Sequence, residues 1–216
     1  MTIIGILAGV LLVWLTVHLV WRWMSRHYSL PCPTLFASAL NTTLMHWLLR
    51  TNTTLERIAF RPGQRVLEIG PGPGRLLVPA AQRILPGGEA VGVDIQPGMI
   101  ERLNKSKAAE QLDNLTGIVG DATQSIVGPE SFDLVYLCRT LGEIPNREAV
   151  LGRCHEALKP GGRLSNTEIF PDPHYQSRAT LLRLANEAGF AWQKTEGNVL
   201  FYTMTFIKPN RLSRFH

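Results

Sequence analysis

The chain has 216 residues, of which 45% are hydrophobic and 18% charged, enough for one well-buried domain beside a short extra segment but not for two large domains. The net charge of +5 and the pI near 9.4 could suit nucleic acid. However, the basic residues are scattered without an aromatic-interleaved stripe, so nucleic acid is not expected, and an anionic membrane surface explains the excess equally well.

The three cysteines, Cys32, Cys138 and Cys154, show neither a pairing pattern nor metal-ligand spacing. They predict free thiols in a reducing compartment and no metal site.

Residues 1–24 predict a transmembrane anchor. The first 21 residues contain no Lys, Arg, Asp or Glu. A helix over residues 2–24 would extend about 35 Å, enough to cross a hydrocarbon core of about 30 Å. Arg22 and Arg26 follow at once, so the positive-inside rule predicts an outward N-terminus and a cytoplasmic catalytic domain.

Two other interpretations of this segment are a cleaved signal peptide and a buried core helix. A signal peptide should begin with a basic region, and this chain has none. A core helix should show a polar face, whereas only Thr16 and His18 interrupt the apolar run. The anchor is therefore favoured over both.

Residues 25–60 predict a juxtamembrane linker followed by an amphipathic helix. The stretch 25–34 contains two prolines, and apolar residues recur at helical spacing within 35–55. This helix could lie on the membrane, cap a cofactor or pack on the domain.

From residue 61 to residue 209, short apolar runs alternate with helical stretches. Strands are predicted at 65–70, 90–94, 115–120, 132–138 and 162–170, with helices at 74–84, 98–111, 147–158 and 175–188. Pro79 predicts a kink or an early end in the first of these helices. The alternation indicates βαβ units and a parallel sheet covered on both faces. Two last runs, 191–195 and 199–207, are joined by a short turn and predict an antiparallel hairpin. Residues 210–216 form a basic tail.

The central motif is the run 66–76, in which a predicted strand leads into a glycine-rich turn that opens a helix. Such a turn lets the backbone approach a ligand, and a helix N-terminus offers unpaired N–H donors. Gly70, Gly72 and Gly74 follow the spacing G-x-G-x-G, whereas the dinucleotide fingerprint is G-x-G-x-x-G. Arg75 stands where the third glycine of that fingerprint belongs, which argues against a pyrophosphate ligand.

Acidic residues follow the next two predicted strands. Asp94, 22 residues after Gly72, can accept hydrogen bonds from ribose hydroxyls. Asp121 can accept from an adenine amino group while the backbone N–H of Ala122 donates to a ring nitrogen. Taken alone, each aspartate is more often a turn or cap residue. Because both follow successive strand C-termini, where open α/β sheets bind ligands, together they predict an adenosine-type ligand.

The ordered set of residues 68–74, Asp94, Gly120-Asp121 and residues 158–162 resembles the class I methyltransferases that use S-adenosylmethionine (SAM). The resemblance covers about residues 61–209. It implies a doubly wound α/β fold, Rossmann-like, with a seven-stranded, mostly parallel sheet whose last strand is inserted antiparallel. It also implies SAM as cofactor, held by Glu68 and the turn Gly70, Gly72 and Gly74 at the methionine end, Asp94 at the ribose, and Asp121 and Ala122 at the adenine. Ile95 is a further predicted cofactor-binding residue, and the backbone at Cys138 would lie near the amino acid moiety or the methyl group.

Candidates for contacting the methyl acceptor follow the fourth and fifth strands. Glu143 and His174 are the predicted catalytic residues, and the other candidate bases are Glu168, Asp172 and Tyr175. Each has a plainer interpretation, since Glu143 could be a solvated loop acid and His174 could cap a helix.

Many relatives carry a long insertion after the fifth strand that covers the acceptor, and here only residues 171–174 fill that gap. With an anchor beside an open site, a small or lipophilic acceptor is expected: a lipid headgroup, a quinone-like compound, a thiol or a phenol.

Two other functions compete with methyl transfer. A nicotinamide-dependent oxidoreductase could also use Asp94, but the glycine spacing, Asp121 and the hairpin count against it. A non-catalytic, membrane-tethered SAM-binding scaffold agrees equally well with the intact glycines and carboxylates.

Overall fold

The computed structural model describes residues 3–27, 42, 44, 48–170 and 172–210. The described helices are α1 (Ile3–His27), α2 (Thr51–Ile58), α3 (Leu77–Arg83), α4 (Pro97–Ala109), α5 (Arg147–Ala157) and α6 (Arg178–Glu187). The strands are β1 (Arg65–Ile69), β2 (Glu89–Asp94), β3 (Leu115–Val119), β4 (Phe132–Cys138), β5 (Leu158–Ile169), β6 (Ala191–Gly197) and β7 (Phe201–Ile207). The amphipathic helix predicted over 35–55 lies mostly outside the described residues.

The strands form one seven-stranded sheet in the order β3-β2-β1-β4-β5-β7-β6. Strands β1 to β5 pair in parallel, and β7 is antiparallel to both β5 and β6. The predicted fold class is confirmed, including the antiparallel last strand. Because the order reverses between β1 and β4, the switch point of the sheet lies there, and an α/β sheet of this kind opens a crevice at that place.

Apolar side chains cover both faces of the sheet, as the continuous hydrophobic strands predict. One core joins Val66, Leu134 and Tyr136 to helices α2, α3 and α4. The other joins Leu67, Val135 and Leu164 to α5 and α6. Each of these side chains is almost fully buried. Burying a side chain of this size stabilises the fold by about 2 kcal/mol relative to leaving it exposed.

The helix after the glycine turn begins later than predicted. Residues 73–76 are turns, and α3 starts at Leu77. Pro79 is therefore the third residue of the helix, in the first turn, where backbone N–H groups have no partner within the helix. The early end predicted at Pro79 is wrong, since the helix continues to Arg83.

Helix α1 places many apolar side chains in contact with solvent. The large apolar side chains that are exposed between Ile6 and Leu19 have exposed fractions of 43–65%. Within the part of the chain that is described, no helix meets both the length and the hydropathy that a membrane span requires. The transmembrane anchor predicted for residues 1–24 is thus not confirmed.

Candidate active site

A cavity of about 460 Å³ opens where β1, β2, β3 and β4 end. It lies at the switch point of the sheet. Among the predicted cofactor residues, those that line it are Glu68, Gly70, Gly72, Asp94, Ile95, Asp121, Ala122 and Cys138. Gly74 does not line the cavity; its Cα instead faces Leu103 and Val78 of the neighbouring helices.

The glycine turn is fastened to the second strand through Asp94. The backbone N–H of Gly72 donates to Oδ2 of Asp94 at 3.1 Å, and that of Gln96 donates to Oδ1 at 2.9 Å. Gly72 has φ +55°, a left-handed conformation, and an added Cβ there would meet nothing within 4 Å. The turn therefore leaves open space beside a buried carboxylate, and burial raises the pKa of Asp94 against the opposing effect of these two hydrogen bonds.

Asp121 lies at the solvent-facing part of the cavity. Its Oδ1 accepts a hydrogen bond from the backbone N–H of Thr123 at 2.9 Å, which is the local turn that the plainer interpretation predicted. The side chain nevertheless lines the cavity, and Ala122 and Thr123 line it too. Asp121 therefore holds its own loop with one oxygen and can face a ligand with the other.

Glu68 lies at the buried part of the cavity, with 2% of its surface exposed. The hydroxyl of Tyr136 donates to its Oε2 at 2.9 Å. Burial raises the pKa of Glu68 to about 8, although the Tyr136 hydrogen bond and the positive charge of Arg75 lower it. At neutral pH the carboxyl is therefore largely protonated in the cofactor-free cavity, and a further positive charge bound beside it would favour its ionised form.

Arg75 lines the cavity, although the sequence analysis did not predict it as a site residue. The residue is 9% exposed, and its guanidinium donates to Oγ1 of Thr51 at 2.8 Å and to Sγ of Cys138 at 3.5 Å. Thr51 is the first residue of α2, so Arg75 ties that helix to the cavity wall. The signal available in the sequence was a charged residue directly after the third glycine, in an otherwise apolar segment.

The distribution of charge along the cavity fits S-adenosylmethionine. Glu68 and Arg75 lie together at the buried part, where the carboxyl of Glu68 can ionise to hold an ammonium and the guanidinium of Arg75 can hold a carboxylate, as the methionine group of SAM requires. Asp94 and Asp121 follow toward solvent and match ribose hydroxyls and an adenine amino group. The open space at Gly72 lets a ligand lie against the backbone between these two parts.

Only one of the five candidate bases lines the cavity. Glu143 does so from a 3-10 turn, Leu141–Glu143, that follows β4. Glu168 is 1% exposed, accepts from Asn166 Nδ2 and the backbone of Gln176, and has its pKa raised to about 8 by burial. Tyr175 donates to the carbonyl oxygen of Val199 at 2.6 Å.

The other two candidate bases, Asp172 and His174, form polar contacts behind the Leu141–Glu143 turn. Asp172 forms an ion pair with Arg139, Oδ2 to Nε at 2.7 Å, and its Oδ1 accepts from the backbone N–H of His174 at 2.8 Å. His174 is 7% exposed and packs against Gly142, and burial lowers its pKa. The structure therefore places His174 behind the turn that carries Glu143, and not at the cavity wall.

A family model described as a methyltransferase domain matches residues 66–162. This chain is 36% identical over 120 residues to the nocamycin O-methyltransferase of Saccharothrix syringae, covering 55% of this chain and 42% of that protein. It is 30% identical over 125 residues to a ubiquinone/menaquinone biosynthesis C-methyltransferase of Cereibacter sphaeroides, covering 56% of this chain and 50% of that protein. The chain thus spans half or less of the length of these relatives.

The same fold occurs in solved structures. One, a SAM-dependent methyltransferase from Aquifex aeolicus, superposes with a TM-score of 0.75 over 82% of this chain and 98% of that chain. The two sequences are 15% identical, so the likeness concerns the fold.

Proposed function

We propose that the protein transfers a methyl group from SAM to a small, lipophilic acceptor, and the match of residues 66–162 to a methyltransferase domain supports this proposal. The observation that carries the proposal is the order of charges in the cavity, with Glu68 and Arg75 buried together and Asp94 and Asp121 nearer to solvent. This order matches the cofactor from its methionine end to its adenine.

Methyl transfer requires from the protein mainly the alignment of the acceptor with the methyl group. When bound, SAM supplies a methyl group activated by a sulfonium. The leaving group is a neutral thioether, so it needs no proton. Rate enhancement then comes from holding the acceptor in line and excluding water. Arg75 and Glu68 orient the cofactor, and Thr51 holds Arg75 in place.

An acceptor that arrives protonated also needs a base, and Glu143 is the proposed one. It lines the cavity beside Ile144 and Pro145, so an apolar acceptor would bring its hydroxyl or thiol to this carboxylate. His174 takes a positioning role in this proposal, since it packs under Gly142 in the turn that carries Glu143.

The acceptor class follows from the apolar mouth and from the relatives. Ile144 and Pro145 at the mouth favour a ring or an acyl chain over a highly charged molecule. The relatives above are an O-methyltransferase of nocamycin and a quinone C-methyltransferase by name. We propose a phenol, an enol or a quinone precursor as the acceptor; lipid headgroups and thiols are the alternatives.

We further propose that helix α1 holds the domain against the cytoplasmic face of a membrane. Support comes from its exposed apolar side chains, among them Leu7, Leu11 and Leu12, each more than 60% exposed. The helix also lies beside the Leu141–Glu143 turn at the mouth of the cavity. A lipophilic acceptor could then pass from lipid to the cavity over a short path.

The test combines calorimetric titration of SAM with transfer of labelled methyl from SAM. The full chain is titrated in detergent and then incubated with lipid extract, with a phenolic quinone precursor and with a water-soluble phenol. Micromolar binding with label appearing in an extractable small molecule supports the proposal. Binding without transfer to any extract would favour the scaffold, and no binding by folded protein would refute the cofactor assignment. Carbonate washing of membranes, with and without residues 1–27, tests the role of α1 separately.

A further inference from the structure

Three exposed apolar side chains form a small surface at the edge of the sheet where β5 ends and the β6–β7 hairpin turns. They are Phe170, Val199 and Leu200, exposed by 45%, 66% and 54% respectively, and we call them the apolar tip. Side chains of this kind cost free energy when they face water, and a cluster of them at one edge marks a contact surface.

The tip is held in this exposed arrangement by hydrogen bonds. The backbone N–H of Phe170 donates to the carbonyl oxygen of Leu200 at 2.6 Å. Oδ1 of Asn198 accepts from the backbone N–H groups of Leu200 and Phe201, at 2.9 and 3.1 Å. These bonds fix the backbone of the turn, from which the side chains of Val199 and Leu200 project into solvent.

Three arginines surround the base of the tip. The guanidinium carbons of Arg50 and Arg57 lie 5.3 and 4.3 Å from the ring centre of Phe201. That of Arg178 lies 5.3 Å from the ring centre of Tyr202. The acid of the neighbouring strand, Glu196, is itself paired with Lys194 at 2.7 Å, so the surroundings of the tip carry an excess of positive charge.

The tip shares its edge of the sheet with the cavity. Arg139, which lines the cavity, donates its backbone N–H to Thr167 of β5 at 2.9 Å. Phe170 is three residues further along the chain, about 10 Å away. On the other side, Arg75 of the cavity bonds to Thr51, the neighbour of Arg50.

We propose that the apolar tip and its three arginines dock on an anionic lipid bilayer and turn the mouth of the cavity toward the membrane. Aliphatic side chains enter the interface, while arginine and aromatic side chains lie at the level of the headgroups. A second copy of this chain is a poorer partner, because a two-fold contact through the tip would bring two sets of arginines together. The inference rests on the proposed membrane location and is independent of the proposed acceptor.

The test places an environment-sensitive fluorescent amino acid at position 199 of the full chain by codon suppression. The control carries it at position 191, which is exposed at the opposite end of β6, about 20 Å from the turn. Both proteins are bound to vesicles of phosphatidylcholine with about one third phosphatidylglycerol, with and without acyl-chain nitroxide quenchers. Binding is confirmed by sedimentation, and folding by SAM titration.

Docking predicts a blue-shifted emission and strong nitroxide quenching at position 199, with little of either at position 191. Replacing the anionic lipid or adding salt should reduce the quenching several-fold, since each arginine near an anionic surface strengthens binding about fivefold. Leu200→Asp should abolish the quenching at position 199 while the chain still binds SAM.

Three results would overturn the proposal: no quenching at position 199, equal quenching at both positions, or a signal that depends on protein concentration without vesicles, as a second copy would give. None of these readouts uses methyl transfer. If the tip docks but no methyl transfer is found, only the proposed function is refuted. If methyl transfer is found but the tip does not dock, only this inference is refuted.

Discussion

The affinity for SAM should increase with pH through the ionisation of Glu68. The carboxyl has a pKa of about 8 in the cofactor-free protein because it is buried. If it holds the ammonium of the cofactor, it must be ionised in the complex. Below pH 8 binding therefore releases a proton, and the ionised fraction sets the apparent affinity.

The magnitude follows from one pKa unit. At pH 7 about one tenth of the Glu68 carboxyls are ionised, which weakens binding about tenfold, or by about 1.4 kcal/mol. From pH 6 to pH 7 the affinity should therefore increase nearly tenfold. Above pH 8 the α-amino group of SAM loses its own proton, whose ordinary pKa is about 7.7–8.0, and the increase should stop.

The assay is titration calorimetry at pH 6.0, 6.5 and 7.0 in buffers that differ in ionisation enthalpy. The wild-type protein should release close to one proton for each SAM bound at pH 7. The matched control is Glu68→Gln, which keeps the shape and the contact with Tyr136 but cannot ionise. Its affinity should be weaker and nearly independent of pH. A wild-type affinity that does not change over this range, or an equal slope in both proteins, would refute the placement of the ammonium at Glu68.

Three further outcomes are expected. Asp94→Ala should weaken SAM binding about 10- to 100-fold by calorimetry, because the variant loses a carboxylate that faces the cavity and accepts hydrogen bonds from Gly72 and Gln96. An unchanged affinity would exclude Asp94 from the ribose site. The pKa of Glu168 is raised to about 8 by burial, so this group binds more protons in the folded state than in the unfolded state between about pH 4.5 and 8. The free energy of unfolding should accordingly fall by roughly 3 kcal/mol between pH 5 and pH 8 from this group, and the loss should be smaller in Glu168→Gln in urea titrations, a result that an unchanged pH profile would contradict. Gly142→Ala should destabilise the fold by about 2 kcal/mol and lower the Tm by about 6 °C in calorimetry, because the added Cβ would overlap the carbonyl oxygen of His174. The control Gly152→Ala lies in α5 with open space around it and should not lower the Tm.

Local patterns predicted the sheet because they are consistent along the chain. The run 134–137 is continuously apolar and 66–69 is interrupted by Glu68 alone, which is the pattern of strands covered on both faces, and the structure has them as β4 and β1. The two strands joined by a short turn could only pair as a hairpin, and they form β6 and β7. Helix starts were less predictable, since α3 begins at Leu77 and not at Gly74.

Site residues that directly follow a predicted strand could be predicted from the sequence. Residues whose role depends on contacts between distant segments could not. Asp94 and Asp121 lie at the cavity because each ends a parallel strand. The role of Arg75 depends on Thr51, 24 residues earlier in the chain, and no local pattern contains that contact. The position of His174 after β5 predicts a place near the acceptor, but its main chain packs against Gly142 and the residue lies behind the cavity wall.

The short connection after β5 bears directly on how an acceptor enters. Asp172 pairs with Arg139 at 2.7 Å and its loop packs on the Leu141–Glu143 turn, so this connection supports the wall of the cavity instead of covering its mouth. The Asp172 side chain is 4% exposed and that of Arg139 28% exposed, so this ion pair holds the loop against the wall and does not leave it free as a lid. Among the described elements, α2, which Arg75 holds through Thr51, is in a position to exclude water, and the proposed contact with a membrane would add to this. An enzyme built in this way would release a lipophilic product without opening a lid, and its turnover would depend more on contact with a membrane than on closure of a loop.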